Sequence, residues 1–259
     1  MPRERLLRLF AIALGGALAA CSTGPGSNIR KESAASERSE AARVHTELGQ
    51  KYMQQGKLEF ALEKLNKALG FDPNYADAHT VIAVLYERIG DTKQAEEHYR
   101  RAAQIKSKGG NELNNYGAFL CKIGRYDEAT GYFDRAVADP FYNTPEVALT
   151  NAGTCQLKAG RPDAAEPLLR AALDRAPNNG EALFQMASVL YEKGDYFKAR
   201  AFMQRFESVG SVRPESLMLG RNIELRLGNG SAASDYTRRL LQSFPESQQA
   251  RALSAQNQS

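Results

Sequence analysis

The stretch GKLEFALEKLNKALGFDPNYADAHTVIAVLYERIG, Gly56 to Gly90, decides the fold, because the chain repeats this pattern about every 34 residues. An alanine, Ala61, stands five residues after the first glycine, and a small residue, Ala83, stands seven residues before the second. The recurring glycines are Gly56, Gly90, Gly124, Gly160, Gly194 and Gly228. A fixed period of roughly 20 to 50 residues indicates a protein built by stacking one supersecondary unit.

Each feature of the repeat has a physical reason. Small residues at two facing positions let two helices approach closely, and the glycine forms the turn between them, where a positive φ costs little. Large apolar residues such as Tyr86 and Tyr99 form the seam, and a proline such as Pro73 ends the second helix. The pattern resembles the tetratricopeptide repeat. It implies an all-α solenoid of six helix hairpins that forms a right-handed superhelix.

Six repeats tile the chain, and only Thr144 and Pro145 fall outside the period. The predicted repeats are 42–75, 76–109, 110–143, 146–179, 180–213 and 214–247. In the last one Arg221 replaces the small residue, and Glu224 and Thr237 occupy positions that are apolar elsewhere. We interpret it as a terminal repeat with a polar outer face. Residues 248–259 are predicted to form a short capping helix and a disordered tail.

The N-terminus has the three parts of a secretory signal peptide. Three arginines in the first eight residues precede a short apolar run, Leu9–Leu18, which is too short to span a bilayer. The sequence Leu18-Ala-Ala-Cys21 resembles a bacterial lipobox, which implies that residues 1–20 are cleaved and that Cys21 carries the acyl chains of a lipid anchor. Because Ser22 rather than Asp follows the cysteine, this resemblance implies the periplasmic face of the outer membrane. The polar segment 21–41 is predicted to be a flexible tether.

Charge and motifs argue against several functions. Cleavage of residues 1–20 would remove three Arg and one Glu and lower the formal charge from +4 to +2, with no basic cluster for nucleic acid. His45 and His79 share one helix-packing position of the repeat, and His98 has no Cys or His at ligand spacing. The glycine-rich Gly228–Ala233 lacks the preceding strand of a dinucleotide loop. We therefore predict no enzyme activity, no metal, no cofactor and no small-molecule substrate.

Two cysteines remain after Cys21. Cys121 and Cys155 lie on the predicted first helices of repeats three and four, which pack side by side. In an oxidising compartment they favour a disulfide, worth about 3 to 4 kcal/mol in the chain-entropy model. The alternative is two separate buried thiols that act as small apolar residues.

The concave face of a tetratricopeptide array is lined mainly by its first helices, at repeat positions two, five, nine and twelve. These positions give a mixed polar and apolar surface suited to holding a peptide in a groove. The alternative for each residue is an ordinary solvated helix surface. The predicted groove residues are Thr46, Gln50, Met53, Thr80, Val84, Glu87, Asn111, Asn114 and Ala118.

Two segments carry a more specific resemblance. LNNYGAFLCKIGRYDEA (Leu113–Ala129) and DPFYNTPEVALTNAGTC (Asp139–Cys155) resemble the type IV pilus biogenesis and stability lipoproteins, the PilF/PilW group. The resemblance implies a non-catalytic pilotin, anchored through Cys21, that promotes outer-membrane localisation and multimerisation of the pilus secretin, or pilus stability. It implies docking in the groove of repeats one to three, and we expect a monomer. The alternative is a lipoprotein adaptor for peptidoglycan hydrolases or β-barrel assembly.

Overall fold

The structure, a computed structural model, describes residues 25–210 and 212–256. Within these ranges it contains thirteen α-helices and no strand. The helices are α1 (Pro25–Gln54), α2 (Leu58–Phe71), α3 (Ala76–Ile89), α4 (Thr92–Ile105), α5 (Gly110–Lys122), α6 (Tyr126–Val137), α7 (Pro145–Lys158), α8 (Pro162–Arg175), α9 (Gly180–Glu192), α10 (Tyr196–Val209), α11 (Pro214–Arg226), α12 (Gly230–Ser243) and α13 (Gln248–Gln256).

The first twelve helices form six consecutive hairpins, and each hairpin packs against the next. Each hairpin turns at a repeat glycine, from Gly56 to Gly228, whose φ lies between 73° and 83°. Only glycine adopts this left-handed conformation without steric cost. The predicted all-α helical solenoid is confirmed.

Small residues allow the helices of each hairpin to approach closely, as expected. A Cβ atom on Gly153 would lie 2.6 Å from Leu169 Cγ, and one on Gly49 would lie 2.6 Å from Leu65 Cγ. Leu65 and Leu169 are fully buried. Larger side chains at these glycines would force the two helices apart, so the repeat pattern reflects packing at this seam.

The N-terminal part differs from the prediction. Residues 25–41, assigned to a flexible tether, belong to α1, which runs without a break into the first repeat. Extending a helix from a packed nucleus costs little, and segment 34–43 is rich in Ala, Glu and Arg, which favour helix. The segment adds about 25 Å of helix at ~1.5 Å per residue. The predicted signal peptide and Cys21 lie outside the described residues.

The C-terminal repeat also differs from the prediction in two details. Gly220, rather than the residue at position 221, makes the close approach, since a Cβ there would lie 2.5 Å from Tyr236 Cε1. Arg221 instead donates a hydrogen bond to Thr237 Oγ1 at 3.2 Å. Glu224 is buried rather than on a polar outer face, and it accepts a hydrogen bond from Asn229 Nδ2 at 2.7 Å. Internal hydrogen bonds therefore let polar residues fill positions that are apolar in the other repeats.

An arginine on the second helix connects several repeats to the turn before them. Arg101 donates to Asn74 Oδ1 at 2.6 Å. Arg135 donates to the Ser107 carbonyl and Arg205 to the Pro177 carbonyl, both at 3.0 Å. These bonds supply partners to polar groups of the inter-repeat turns, which have no neighbour in a helix.

Candidate functional site

Three of the nine predicted groove residues are buried, and their assignment to the open surface is wrong. Thr46 donates to the Ala42 carbonyl at 2.8 Å, and Met53 lies in an apolar cluster with Ile82 and Leu85 of α3. Asn114 is buried and accepts a hydrogen bond from Asn151 Nδ2 at 2.9 Å. Side-by-side packing of successive first helices covers Met53 with α3 and Asn114 with α7 of the next repeat.

The other six stay wholly or partly accessible. Gln50 and Asn111 are exposed, whereas Thr80, Val84, Glu87 and Ala118 are half-buried. The structure brings three of them together, because Val84, Glu87 and Ala118 line one shallow cavity of about 220 Å³ between α3 and α5. Asn115 and Lys122 complete its polar lining. Neither residue belongs to the predicted groove, although Lys122 is one helical turn beyond the predicted Ala118 and so shares its face.

The carboxylate of Glu87 is held in one orientation in this cavity. It accepts a hydrogen bond from the Tyr99 hydroxyl at 2.6 Å and from Lys122 Nζ at 2.9 Å. Burial, together with the neighbouring carboxylate of Glu87, raises the pKa of Tyr99 far above its usual range. The tyrosine therefore stays a neutral donor, and the cavity offers apolar surface beside a fixed acid and an exposed amine. Such a surface can bind a peptide without chemistry.

Two histidines meet in the second repeat, which sequence analysis did not foresee. His79 Nδ1 lies 3.0 Å from His98 Nδ1, and His79 Nε2 lies 3.1 Å from the Pro73 carbonyl. Because a carbonyl only accepts, His79 carries its proton on Nε2, and its Nδ1 accepts from the N–H of His98. Burial lowers the pKa of both residues. The pair could have been predicted from the sequence, because His79 and His98 lie on the two antiparallel helices of one hairpin.

The hydrogen bond between His79 and His98, with that from His79 to the Pro73 carbonyl, accounts for the placement of the two side chains. Among the residues that the structure describes, no group of three or more His, Cys, Asp or Glu side chains is placed to hold a metal ion. The third histidine, His45, stacks on the ring of Phe71 at a centroid distance of 5.4 Å. The absence of a metal or of catalysis stays a prediction.

The two cysteines singled out in the sequence lie together. Cys121 on α5 and Cys155 on α7 form a disulfide in the structure, with their Cα atoms 5.7 Å apart. Both are buried in an apolar cluster that includes Phe119, Leu120 and Ala152. Covalent and apolar contacts therefore connect the third and fourth repeats, at the one break in the period.

The first repeat leaves an apolar surface open. Val44 is 41 % exposed, whereas its equivalents in later repeats, such as Ala78 and Ala148, are fully buried by the preceding hairpin. Leu48 is half-buried, whereas its equivalent Ile82 is fully buried. No preceding hairpin covers the first repeat within the described part of the chain.

The second helix continues this surface. Phe71 stacks on His45 of α1, and Phe60 stacks on Tyr52 with ring centroids 5.7 Å apart. Phe60 and Phe71 are both exposed. We call the surface formed by Val44, Leu48, Phe60 and Phe71 the N-terminal face.

No helix in the described ranges combines the length and the apolar character needed to cross a membrane. The structure therefore offers no helical membrane span among these residues.

Comparisons with known proteins agree with the helical repeat architecture. Tetratricopeptide repeat families match residues 49–90, 76–108 and 156–206. The type IV pilus assembly protein PilF of Pseudomonas aeruginosa is 32% identical over 245 residues, which are 95% of this chain and 95% of that protein.

Two solved structures are similar over most of the chain. PilW, described as a widely conserved type IV pilus biogenesis factor, superposes with a TM-score of 0.76 at 32% identity, covering 82% of this chain and 97% of PilW. The Pseudomonas aeruginosa PilF structure gives a TM-score of 0.74 at 31% identity, covering 85% of this chain and 99% of that one. The chain therefore belongs to the family of type IV pilus biogenesis tetratricopeptide proteins that includes PilF and PilW.

Proposed function

We propose that this protein is an outer-membrane lipoprotein that acts as a pilotin for the type IV pilus secretin. It promotes secretin localisation and multimerisation, and thereby pilus assembly or stability, as a non-catalytic scaffold. The similarity to PilF across 95% of the chain is the observation that supports this proposal most strongly.

Docking uses the N-terminal face and the groove beside it. The N-terminal face presents apolar side chains that a partner helix or strand could cover, and the ion-paired Glu87 and Lys122 offer polar groups in the cavity between α3 and α5. Apolar contacts supply affinity, and the charged rim supplies orientation. Both surfaces belong to the first three repeats, where sequence analysis placed the groove.

Anchoring through Cys21 supplies the second part of the mechanism. Several acyl chains at ~0.8 kcal/mol per buried CH₂ hold a protein to a bilayer stably. A partner bound to an anchored scaffold has a raised local concentration at the membrane, which favours multimerisation without any chemical step. The helical segment 25–41 then separates the first repeat from the lipid as a stiffer spacer than a coil.

The experiment compares outer membranes from cells that carry the wild-type gene, a deletion or a Cys21→Ala variant, and it measures the heat-resistant secretin multimer. We expect the deletion to abolish the multimer and the Cys21→Ala variant to reduce it or misplace it. Unchanged multimers with lost pili would contradict secretin assembly and leave an action on the fibre. Unchanged multimers and unchanged pili, with peptidoglycan hydrolases or barrel-assembly subunits co-purifying, would instead support the adaptor function.

A further inference from the structure

The loop between α6 and α7 holds a phenylalanine in solvent. Phe141 is 87 % exposed, the largest value among the large apolar side chains of the described residues. Full burial of such a side chain is worth roughly 1.5 to 3 kcal/mol, which this conformation forgoes. The one insertion in the repeat period, Thr144 and Pro145, lies where this loop meets α7. The conformation of this loop therefore calls for a physical explanation beyond the repeat pattern.

Asp139 and Tyr142, which lie on either side of Phe141 in this loop, are both anchored. The Asp139 carboxylate accepts hydrogen bonds from the backbone N–H of Gly110 and from that of Phe141, both at 2.9 Å. Tyr142 is buried against Gly110, where a Cβ would lie 2.3 Å from Tyr142 Cγ. The loop is thus held by two contacts to the start of α5 and by one hydrogen bond within the loop. These contacts direct Phe141 outward, so its exposure is not a result of loose packing.

A cavity of about 760 Å³ lies beside the phenylalanine, with mostly apolar walls. Pro140 and Phe141 form one side, and Lys108 and Gly109 of the turn between α4 and α5 form the other. Arg135 adds a second cationic group to the lining, and one of its N–H groups donates to the Ser107 carbonyl. The only carboxylate in the lining, that of Asp139, already accepts two backbone hydrogen bonds.

We propose that this surface, formed by Lys108, Gly109, Arg135, Pro140 and Phe141, docks an extended segment of a partner protein. An apolar side chain of that segment packs against Phe141 and Pro140, and an adjacent Asp or Glu pairs with Lys108 and Arg135. The net positive charge of the cavity selects an acidic partner, and the anchored loop presents an aromatic side chain without the entropic cost of ordering the loop. The surface shares no residue with the N-terminal face or with the cavity between α3 and α5, so the inference does not depend on the proposed pilotin function.

The test is a selection of phage-displayed random linear heptapeptides on the full chain, purified in detergent. We expect enriched peptides to carry an apolar residue next to Asp or Glu. Synthetic versions of these peptides should bind Phe141→Ser and Lys108→Glu variants about tenfold or more weakly than wild type. Circular dichroism verifies that both variants keep the fold, as their exposure predicts.

A matched control separates a specific site from general apolar adhesion. Phe197 is 71 % exposed on α10 and takes no part in the cavity, so Phe197→Ser should leave peptide binding unchanged. The proposal is overturned if no sequence is enriched, if the enriched peptides are basic, or if they bind Phe141→Ser as tightly as wild type. Equal losses from Phe197→Ser and Phe141→Ser would also overturn it.

Discussion

The two ends of the solenoid differ in whether an additional helix covers the terminal hairpin. At the C-terminal end α13 packs on the last hairpin, and Leu253 of α13 is buried with Leu217 and Leu240. At the N-terminal end α1 also extends beyond its hairpin, but nearly all its side chains from residue 34 to 40 are exposed and leave the N-terminal face uncovered. An extra helix therefore covers one end and not the other.

This difference indicates separate roles for the ends. A stacked array needs a cover on its terminal repeats, because each repeat relies on its neighbour to bury one apolar face. The C-terminal end meets this need with a helix of its own. The N-terminal end has the same need and leaves it unmet within the described residues, so a partner that covers Val44 and Leu48 would take the place of a preceding repeat.

The largest expected change in stability comes from the disulfide between repeats three and four, which lies away from both ends of the solenoid. In the chain-entropy model a disulfide between residues 34 apart contributes about 4 kcal/mol. A Cys121→Ala/Cys155→Ala variant should therefore lower the free energy of unfolding by about this amount, measured by guanidinium titration. Wild-type protein treated with reductant should show a comparable loss. A change below about 1 kcal/mol in both would mean that apolar packing alone holds repeats three and four together.

The second-largest expected loss of stability comes from disrupting the contact between α13 and the last hairpin. Leu253→Asp places a carboxylate in the apolar contact between α13 and the last hairpin, and we expect a loss of about 3 kcal/mol. Hydrogen exchange should show the loss in α11 to α13 and little change in α1 to α4. Ala252→Asp, at an exposed position of the same helix, is the matched control and should stay close to wild type. Equal behaviour of the two variants would show that α13 is not needed to close the array.

Acid should loosen the N-terminal end selectively, because all three histidines lie in the first two repeats. Burial holds the pKa of His45, His79 and His98 below the usual value, so the unfolded chain binds more protons than the folded one. Stability is therefore full above the unfolded pKa near ~6.5 and falls as the pH drops towards the folded values.

The measurement for this effect is hydrogen exchange between pH 7 and pH 5, corrected for the intrinsic exchange rate. We expect faster opening of α1 to α4 than of α9 to α12. A His79→Gln/His98→Gln variant should show a smaller pH response, since it removes the hydrogen-bonded pair. The same pH response in that variant, or equal loosening of both ends, would refute this explanation. Hydrogen bonds from Lys193 and Arg170 hold the pKa of Glu166 below its usual value, so this carboxylate stays ionised across this range.

The smallest expected change in stability comes from the N-terminal face. Val44→Ser and Phe71→Ser replace side chains that are partly exposed, and the double variant should differ from wild type by less than about 1 kcal/mol. Thermal unfolding is the measurement. A loss as large as that of Leu253→Asp would mean that the N-terminal face is already covered within the chain, and the contrast between the two ends would fail.

Sequence periodicity predicts most of this fold and less of the candidate site. The turn glycines and the small residues at the hairpin seam follow from sterics within one hairpin, so their spacing is visible in the sequence. Met53 and Asn114 are buried because the next repeat overlaps this part of the groove. The extent of that overlap is set by tertiary packing and cannot be read from the repeat period. The close approach of Gly220 to Tyr236 lies within one hairpin, one residue before the position that the period marks, and the period alone does not reveal that shift.

Other features depend on tertiary contacts that link distant repeats. The disulfide partners could be singled out because neighbouring first helices pack side by side, but the separation of their Cα atoms could not be read from spacing. The hydrogen bond between His79 and His98 depends on how the two helices of the hairpin are aligned, which the structure shows. The outward orientation of Phe141 depends on the hydrogen bond from Gly110 at the start of α5 to Asp139, and no local sequence pattern encodes that bond.

The most direct test of the account is the affinity of the purified secretin for the full chain in detergent. The comparison includes wild type, the Val44→Ser/Phe71→Ser variant and the Phe197→Ser control. We expect the double variant to bind about tenfold or more weakly, and the control to bind as wild type does. Equal affinity of all three proteins would contradict the central claim that the open N-terminal end is the docking surface.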